Sequence, residues 1–547
     1  MDWFSMYADY LNTELKSLRR KLNWEIEEER HELIINLYWL IRAWRGRLPD
    51  LRDIFRPEEI DFILDADVRK LHESITLERS FIFFAARSGY KDEPKVDEDG
   101  KPLLRRSTPI HRVARSTMFN KSGVIRALFE IFDRYDINYI HASGLSHFHV
   151  ACKFGCDKVV EKFLELGLDP NHLEYAYPPL YMALFGRSYV PNSRVIDLLL
   201  RGGADVNVSN AAGSTSLHII CDREQDGELA KQFFKIVDDK NLNLQVDVRD
   251  RSGNTPLHLA LRSGNAIAAK LLLRRGASPN LANVEHGWTP LHIICQRCQE
   301  FMEKFFEINY ERNQLVQVDS RDREGRTPLQ LAVVNFTFNT VDVLLKHGAD
   351  LSNFVFPSER HFNERFEQVT RENTPRLKLT LASRAMITIE RLETRGYELD
   401  LSHALIIMKF FDKYNLYEQS EELDEYWYDA EDFTSEANNI MIIDNLPGLS
   451  LYVRVPPKKA AKQLTYLDYF NFARSNNFSN LLAEHKEEVV VHLCEMMGKK
   501  FFRQWALEAF VILTHCRLPS PCCQMIIDQL MNKDLYNICL AATGQSS

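Results

Sequence analysis

The feature that most constrains this chain is a four-residue phrase, Thr-Pro-Leu-His or a near variant. It stands at Thr108–His111, Ser146–His149, Pro178–Tyr181, Thr215–His218, Thr255–His258, Thr289–His292 and Thr327–Gln330. Successive copies start 38, 32, 37, 40, 34 and 38 residues apart, the length of one supersecondary unit of about 33 residues with insertions. A unit this short cannot bury its own apolar face, so the copies must stack on one another into a solenoid.

Each residue of the phrase has a mechanical reason. Thr255 caps a helix through its hydroxyl, and Pro256 occupies the first helical position, where no N–H is needed. Leu257, Leu259 and Ala260 begin an apolar face, Gly264 ends the short helix, and Ala268, Leu271 and Leu272 carry a second one that Gly276 stops. A longer period is superposed on the first. The strings TSLHIICDREQ at 215 and TPLHIICQRCQ at 289 are 74 residues apart, and each leads through a Phe-Phe pair (Phe233-Phe234, Phe305-Phe306) to VDVRDRSG or VDSRDREG. Duplicated repeat pairs explain this, with a lengthened second helix alternating with a compact one.

The phrase with its preceding glycine (Gly253 to Ala260) and the closing Gly203-Ala-Asp-Val-Asn207 resemble the ankyrin repeat over residues 105 to 353, with Gln330 standing where the histidine falls. The resemblance implies an all-α fold: an ankyrin-repeat solenoid of helix pairs with β-hairpin fingers, flanked by helical N-terminal and C-terminal modules. Solenoid ends need atypical caps. The segment FFAARSGYKDEPKVDEDGKPLLRR reads as an opening unit with a hairpin through Asp99-Gly100, and 377 to 400 as a degenerate closing repeat of two helices with Gly396 at the stop. The expected organisation is a helical module at 1–80, repeats at 81–353, closing repeat and helices at 354–417, an acidic linker at 418–448 and a helical domain at 449–547. In the first module Leu33, Ile34, Leu37, Leu40 and Ile41 share one helical face, and 48 to 64 gives two short helices around Pro57. Glu418 to Glu436 holds nine Asp or Glu and no Lys or Arg, a like-charge block that reads as solvated linker.

Composition removes several function classes. A net charge of −9 gives no footprint for wrapping nucleic acid. The most apolar stretch, Leu33 to Trp44, is broken by Asn36 and Arg42, and the N-terminal residues lack a basic n-region, so neither a membrane span nor a signal peptide is expected. The ten cysteines fall mostly in apolar-periodic segments, which favours reduced thiols and a cytosolic or nuclear chain. The ligand-like groups HFHVACKFGC (147–156), CQRC (295–298) and His515, Cys516, Cys522, Cys523 lie largely where the pattern dictates helix, and no second CxxC stands at zinc spacing. There is no phosphate loop or catalytic signature, so the expectation is a non-enzymatic chain without metal or cofactor.

Near the end, LPSPCCQMIIDQLMNKDLYNICLAA (518–542) reads as a helical hairpin, with Ser520 capping, Pro521 starting the first helix and Asp534 capping the second. Its Leu518-Pro519 start, the Ile526, Ile527 and Leu530 face, and Asp534-Leu535 followed by Ile538-Cys539 resemble the first half of an F-box. With LTYLDYF at 464 and FARSNNF at 472, residues 449 to 542 resemble the PRANC family of poxviral ankyrin proteins. That resemblance implies an adaptor whose repeats hold a target protein and whose hairpin docks on the Skp-type linker of a cullin ubiquitin ligase through Leu518, Pro519, Ile526, Ile527, Leu530, Leu535 and Ile538. The alternative is a scaffold or decoy in which the C-terminal helices only cap the solenoid. For the target, the finger tips nominate Arg251, Asn254, Glu285, His286, Trp288, Arg323 and Arg326. Trp288 leads, since a tryptophan after a tip glycine suits a binding hot spot. Asp247, Asp250, Asp319 and Asp322 beside the arginines leave these tips without a charge preference.

Overall fold

Thr108, Ser146, Thr215, Thr255, Thr289 and Thr327 each cap a helix that begins at the next residue. The cap works through the histidine three residues on: the backbone N–H of Thr215 and of Thr255 donates to His Nδ1 at 3.1 Å, and that of Thr289 at 3.2 Å. With Nδ1 accepting, Nε2 carries the proton and reaches the next finger, bonding the Asn254 carbonyl from His218 and the Arg326 carbonyl from His292, both at 3.1 Å. The phrase thus starts a helix and ties one copy to the next.

The computed structural model of the chain describes residues 3–44, 46–70, 80–118, 120–171, 175–185, 193–223, 227–367, 374–417, 440, 442, 464–481, 485–515 and 517–544. The acidic stretch 418–436 lies outside the described residues. The chain divides into two units, Met1–Ala277 and Ser278–Ser547, with the boundary inside the repeats.

In the first unit, α1 (Trp3–Lys21), α2 (Glu27–Ala43) and α3 (Pro57–Lys70) form the N-terminal module, with a 3-10 turn at Leu51–Asp53 before Pro57. Leu33, Ile34, Leu37 and Ile41 are buried, as their helical spacing predicts, and Leu40 at the edge of that face is half-buried. The opening unit is α4 (Phe81–Ser88) with the hairpin through Gly100, closed by a bridge between Val96 and Pro102. Helix pairs follow: α5 (Pro109–Arg115) with α6 (Lys121–Ile131), α7 (His147–Lys153) with α8 (Asp157–Glu165), α9 (Pro179–Phe185) with α10 (Ser193–Arg201), α11 (Ser216–Asp222) with α12 (Gly227–Asp239), and α13 (Pro256–Arg262) with α14 (Ala266–Arg274). First helices pack on first helices from α5 to α13, and second helices on second helices from α8 to α14, so the unit is two helical layers with a core between. Arg106 joins module to repeats: its guanidinium pairs with Asp61 at 2.6 Å and with Asp92 at 3.0 Å. The fingers are short. Among the described residues they reduce to bridges such as Ile140 with Ser146 and Ser209 with Thr215, and the closing asparagine supplies the remaining link, Asn207 bonding both the Asn243 carbonyl (2.7 Å) and the Gln245 N–H (2.8 Å).

In the second unit, α15 (Pro290–Arg297) pairs with α16 (Met302–Glu311) and α17 (Pro328–Val334) with α18 (Phe338–Lys346). The alternation expected from the 74-residue period is present: α12 has 13 residues and α14 nine, while α16 has ten, preceded by a 3-10 turn, and α18 nine. After α19 (Glu359–Phe366), residues 377–400 depart from the expected pair of helices. They form one 20-residue helix, α20 (Pro375–Thr394), because no glycine or inner proline interrupts it, and only Gly396, at φ +94°, stops the chain. The end of the repeats is sealed by rings: Phe336, Phe362, Phe366 and Phe410 of α21 (Leu401–Lys413) pack with centroids 5.0 to 6.3 Å apart, and Arg384 donates to the Asn335 and Phe336 carbonyls at 2.9 Å.

The C-terminal helices are α22 (Tyr466–Arg474), α23 (Asn476–Ser479), the 28-residue α24 (Lys486–Leu513), α25 (Ser520–Ile527) and α26 (Asn532–Ala542). The hairpin is as expected except at its caps: Pro519 precedes α25, and Met531 caps α26, with Asp534 inside the first turn accepting from the Met531 N–H at 3.1 Å. The helix starts early because Asn532 is drawn into α24. No described helix is long and apolar enough to cross a membrane.

Candidate functional site

The finger tips divide by role. Arg251, Glu285, His286 and Arg323 are exposed. Asn254 is buried instead, because the finger needs it: its N–H donates to the Asp250 carboxylate at 2.8 Å, and its carbonyl receives His218. Arg326 is turned into ion pairs with Asp322 and Glu324, each at 2.9 Å. Trp288 is half-buried. Its ring lies 4.8 Å from that of His286, and its Nε1 donates to Asp322 Oδ2 at 3.3 Å, so it both packs on the neighbouring finger and keeps an open edge.

The C-terminal hairpin splits in two. Ile527 and Leu535, with Cys523, Cys539 and Leu540, are buried in the packing of α25 and α26 with α24, and Leu530 and Ile538 are half-buried. A polar lock holds this side. The Asn532 N–H donates to Glu495 Oε1 and its Nδ2 to the Glu495 carbonyl, both at 2.8 Å, Lys499 bonds the Leu530 carbonyl, and Lys533 pairs with Asp412 of α21 at 2.6 Å. Lys499 also stands 3.6 Å from Glu495, and removing one partner of that buried ion pair costs about 3–5 kcal/mol, since the other charge is left unpaired. The opposite side is open. Leu518, Met525 and Ile526 are exposed, Met525 at 69%, and Pro519 is exposed too. Ile512 (61%) and Leu513, in the last turn of α24, are exposed as well.

Two features were not singled out by the sequence reading. Arg112 and Arg115 stand three apart on α5, where helical spacing puts them on one face, beside a recess of about 330 Å³. Aromatic rings at 175, 177, 181 and 185 run from the segment before α9 along that helix. The string YAYPPLYMALF carried the ring spacing, but the degenerate phrase inside it drew the attention.

The titratable groups of the repeats are tuned by burial. Desolvation pushes the His111 ring down to about 3 and lowers His218 and His292. It also raises the thiols of Cys152, Cys221 and Cys295, buried on the first helices, whereas Cys522 on α25 is exposed. Among the described residues no group of three or more His, Cys, Asp or Glu is placed to hold a metal ion.

Comparison with known proteins agrees with the geometry of the helix pairs. The family model described as ankyrin repeats (3 copies) matches residues 184–283 and 269–354. The NF-kappa-B inhibitor cactus of Drosophila yakuba is 26% identical over 225 residues, covering 37% of this chain and 45% of that protein. Mouse SH3 and multiple ankyrin repeat domains protein 1 is 30% identical over 158 residues, covering 28% and 7%. Alpha-latrotoxin-Lhe1a of Latrodectus hesperus is 33% identical over 131 residues, covering 24% and 9%. The chain therefore spans less than half the length of these curated relatives. Among solved structures, the ankyrin repeat domain of Bcl-3 aligns at 20% identity with a TM-score of 0.33, covering 40% of this chain and 98% of that one. The helix pairs that occupy residues 184–354 are ankyrin repeats.

Proposed function

We propose that the chain is a protein-binding adaptor whose repeats hold a target and whose C-terminal hairpin docks on the Skp-type linker of a cullin ubiquitin ligase. Ankyrin repeats bring a protein-binding role, and the resemblance of 449–542 to the PRANC family brings the ligase. The observation that carries the reading is the ridge of Leu518, Met525 and Ile526: these apolar side chains stay in water on a hairpin whose other side buries Ile527 and Leu535. Keeping apolar surface exposed is unfavourable by about 25 cal/mol per Å², and an exposed cluster marks an interaction site.

The test is titration of the purified linker with the full chain. Binding at micromolar or tighter, about −8 kcal/mol, is expected, weakened tenfold or more by Met525→Asp and by Ile526→Asp. Both positions are exposed, so both variants keep the fold, which Ile527→Asp, at a side chain 1% exposed, would not. No binding by the folded chain sinks the ligase half. The second reading, a scaffold or decoy without recruitment, has the burial of Ile527 and Leu535 in its favour, because a capping hairpin buries its apolar face in this way.

A further inference from the structure

The recess beside α5 is lined by Ser107, His111, Arg112, Arg115, Ser116 and His141. Two guanidiniums face it. Arg112 is paired with Asp65 at 2.7 Å, whereas the Arg115 guanidinium stands 2.7 Å from His141 Nε2, a ring nitrogen and no carboxylate. The His141 ring is itself held below its ordinary value, by desolvation first and by Arg115 and Arg112 next, so it brings no counter-charge, and Arg115 meets no carboxylate at ion-pair distance among the described residues. Lys121, bonded to the Ser116 carbonyl on the same rim, adds a further positive charge. A chain of net charge −9 therefore carries a local site of the opposite sign. Serine hydroxyls and planar guanidiniums are the groups that bind carboxylate and phosphate oxygens.

The ring ladder begins next to it. Tyr175, within range of the Arg115 charge, lies 5.5 Å from the His149 ring, and successive centroids follow at 5.5 Å to Tyr177, 5.1 Å to Tyr181 and 6.0 Å to Phe185. Tyr177 and Phe185 are 38% and 56% exposed, and a second recess of about 360 Å³ opens between Phe185, His218 and Leu259. The ladder matches roughly five residues of extended chain at about 3.3 Å each.

We propose that this face of the first unit takes an extended segment of a partner protein that carries an anionic residue, phosphorylated or carboxylate, in the Arg112 and Arg115 recess, with its neighbouring apolar side chains on the Tyr177 to Phe185 ladder. The proposal rests on the reading of the repeats as a target-holding surface and names the chemistry of that target. Charge complementarity selects the anion. Tyr181 is buried, and the two open rings on either side of it, Tyr177 and Phe185, select apolar neighbours, because each gives a large rigid contact at low entropy cost.

The test applies the labelled full chain to matched sets of synthetic dodecamers with phosphoserine, glutamate, glutamine or lysine at one fixed position and varied apolar residues after it. Binding to the phosphoserine or the glutamate set is expected to exceed that to the glutamine and lysine sets at least tenfold. Phosphoserine alone in excess identifies a phosphorylated source, and equal signals a carboxylate one. Arg115→Glu, which orphans no carboxylate, should reverse the charge order, and Phe185→Ala should flatten the apolar preference while keeping that order. A glutamine set bound as well as the acidic ones, an order unchanged in Arg115→Glu, or no set bound at all overturns the proposal. Linker titration of the Arg115→Glu chain separates this from the ligase reading: linker binding should be unchanged there, and its absence from the unaltered chain would sink recruitment alone.

Discussion

At Gln330 an amide replaces the imidazole of the repeated phrase and keeps both of its hydrogen bonds. Its Oε1 accepts from the Thr327 N–H, and its Nε2 donates to the Val355 carbonyl, each at 2.8 Å. The histidine positions therefore need an acceptor and a donor about one ring apart, and no charge. They do carry a pH liability. Burial holds the folded rings of His111, His218 and His292 below 6.5, while an unfolded chain protonates near that value. The unfolded state then binds more protons as pH drops, so this part of the stability is complete above about 6.5 and is lost progressively as pH falls toward about 3, the value for His111. The double variant His218→Gln, His292→Gln is expected to keep its Tm at pH 7.5 and to show a flatter decline of Tm between pH 6.5 and 4.5 than the unaltered chain. A Tm profile of unchanged slope would remove these rings from the account.

Among elements, the fingers are where one repeat most tightly dictates the next. Gly287 sits at φ +70° with a close neighbour: a Cβ there would stand 2.9 Å from the Arg323 backbone nitrogen, which donates to the His286 carbonyl. Gly325, the equivalent tip one repeat later, has φ +77° and open space around it. Gly325→Ala should cost about 1–2 kcal/mol for the left-handed backbone alone. Gly287→Ala should lose a further ~1–3 kcal/mol, since one finger must shift off the other. Urea unfolding of the two variants checks the order. The helix pairs and their caps were legible in the sequence because Thr-Pro, the i+3 histidine and the stop glycine act locally. The single helix α20 was not, because the Gly396 stop suggested a repeat while nothing between Leu377 and Thr394 required a turn. The early start of α26 was equally hidden, for it depends on Asn532 meeting Glu495, 37 residues away.

On the scale of the molecule, what the sequence obscured is the product of stacking. Arg115 reaches His141 across 26 residues, and Tyr175 reaches His149 from the next copy, so the basic recess, and its junction with the ring ladder, exist only once neighbouring repeats are side by side. A net charge summed over 547 residues averages such a site away, and the finger tips, read one copy at a time, showed arginines beside aspartates. The hairpin ridge was legible in part: the apolar residues were evident, but which of them turn inward was set by α24. The exposure of Cys522 on α25 has a practical consequence. Buried thiols held above their ordinary value react slowly, because the thiolate is the nucleophile, so a maleimide dye at neutral pH should label Cys522 first among the described cysteines. Cys522 lies one helical turn before Ile526, and the rate of that labelling becomes a footprint of the ridge: it should fall when the linker is added and stay constant when an acidic dodecamer is added instead.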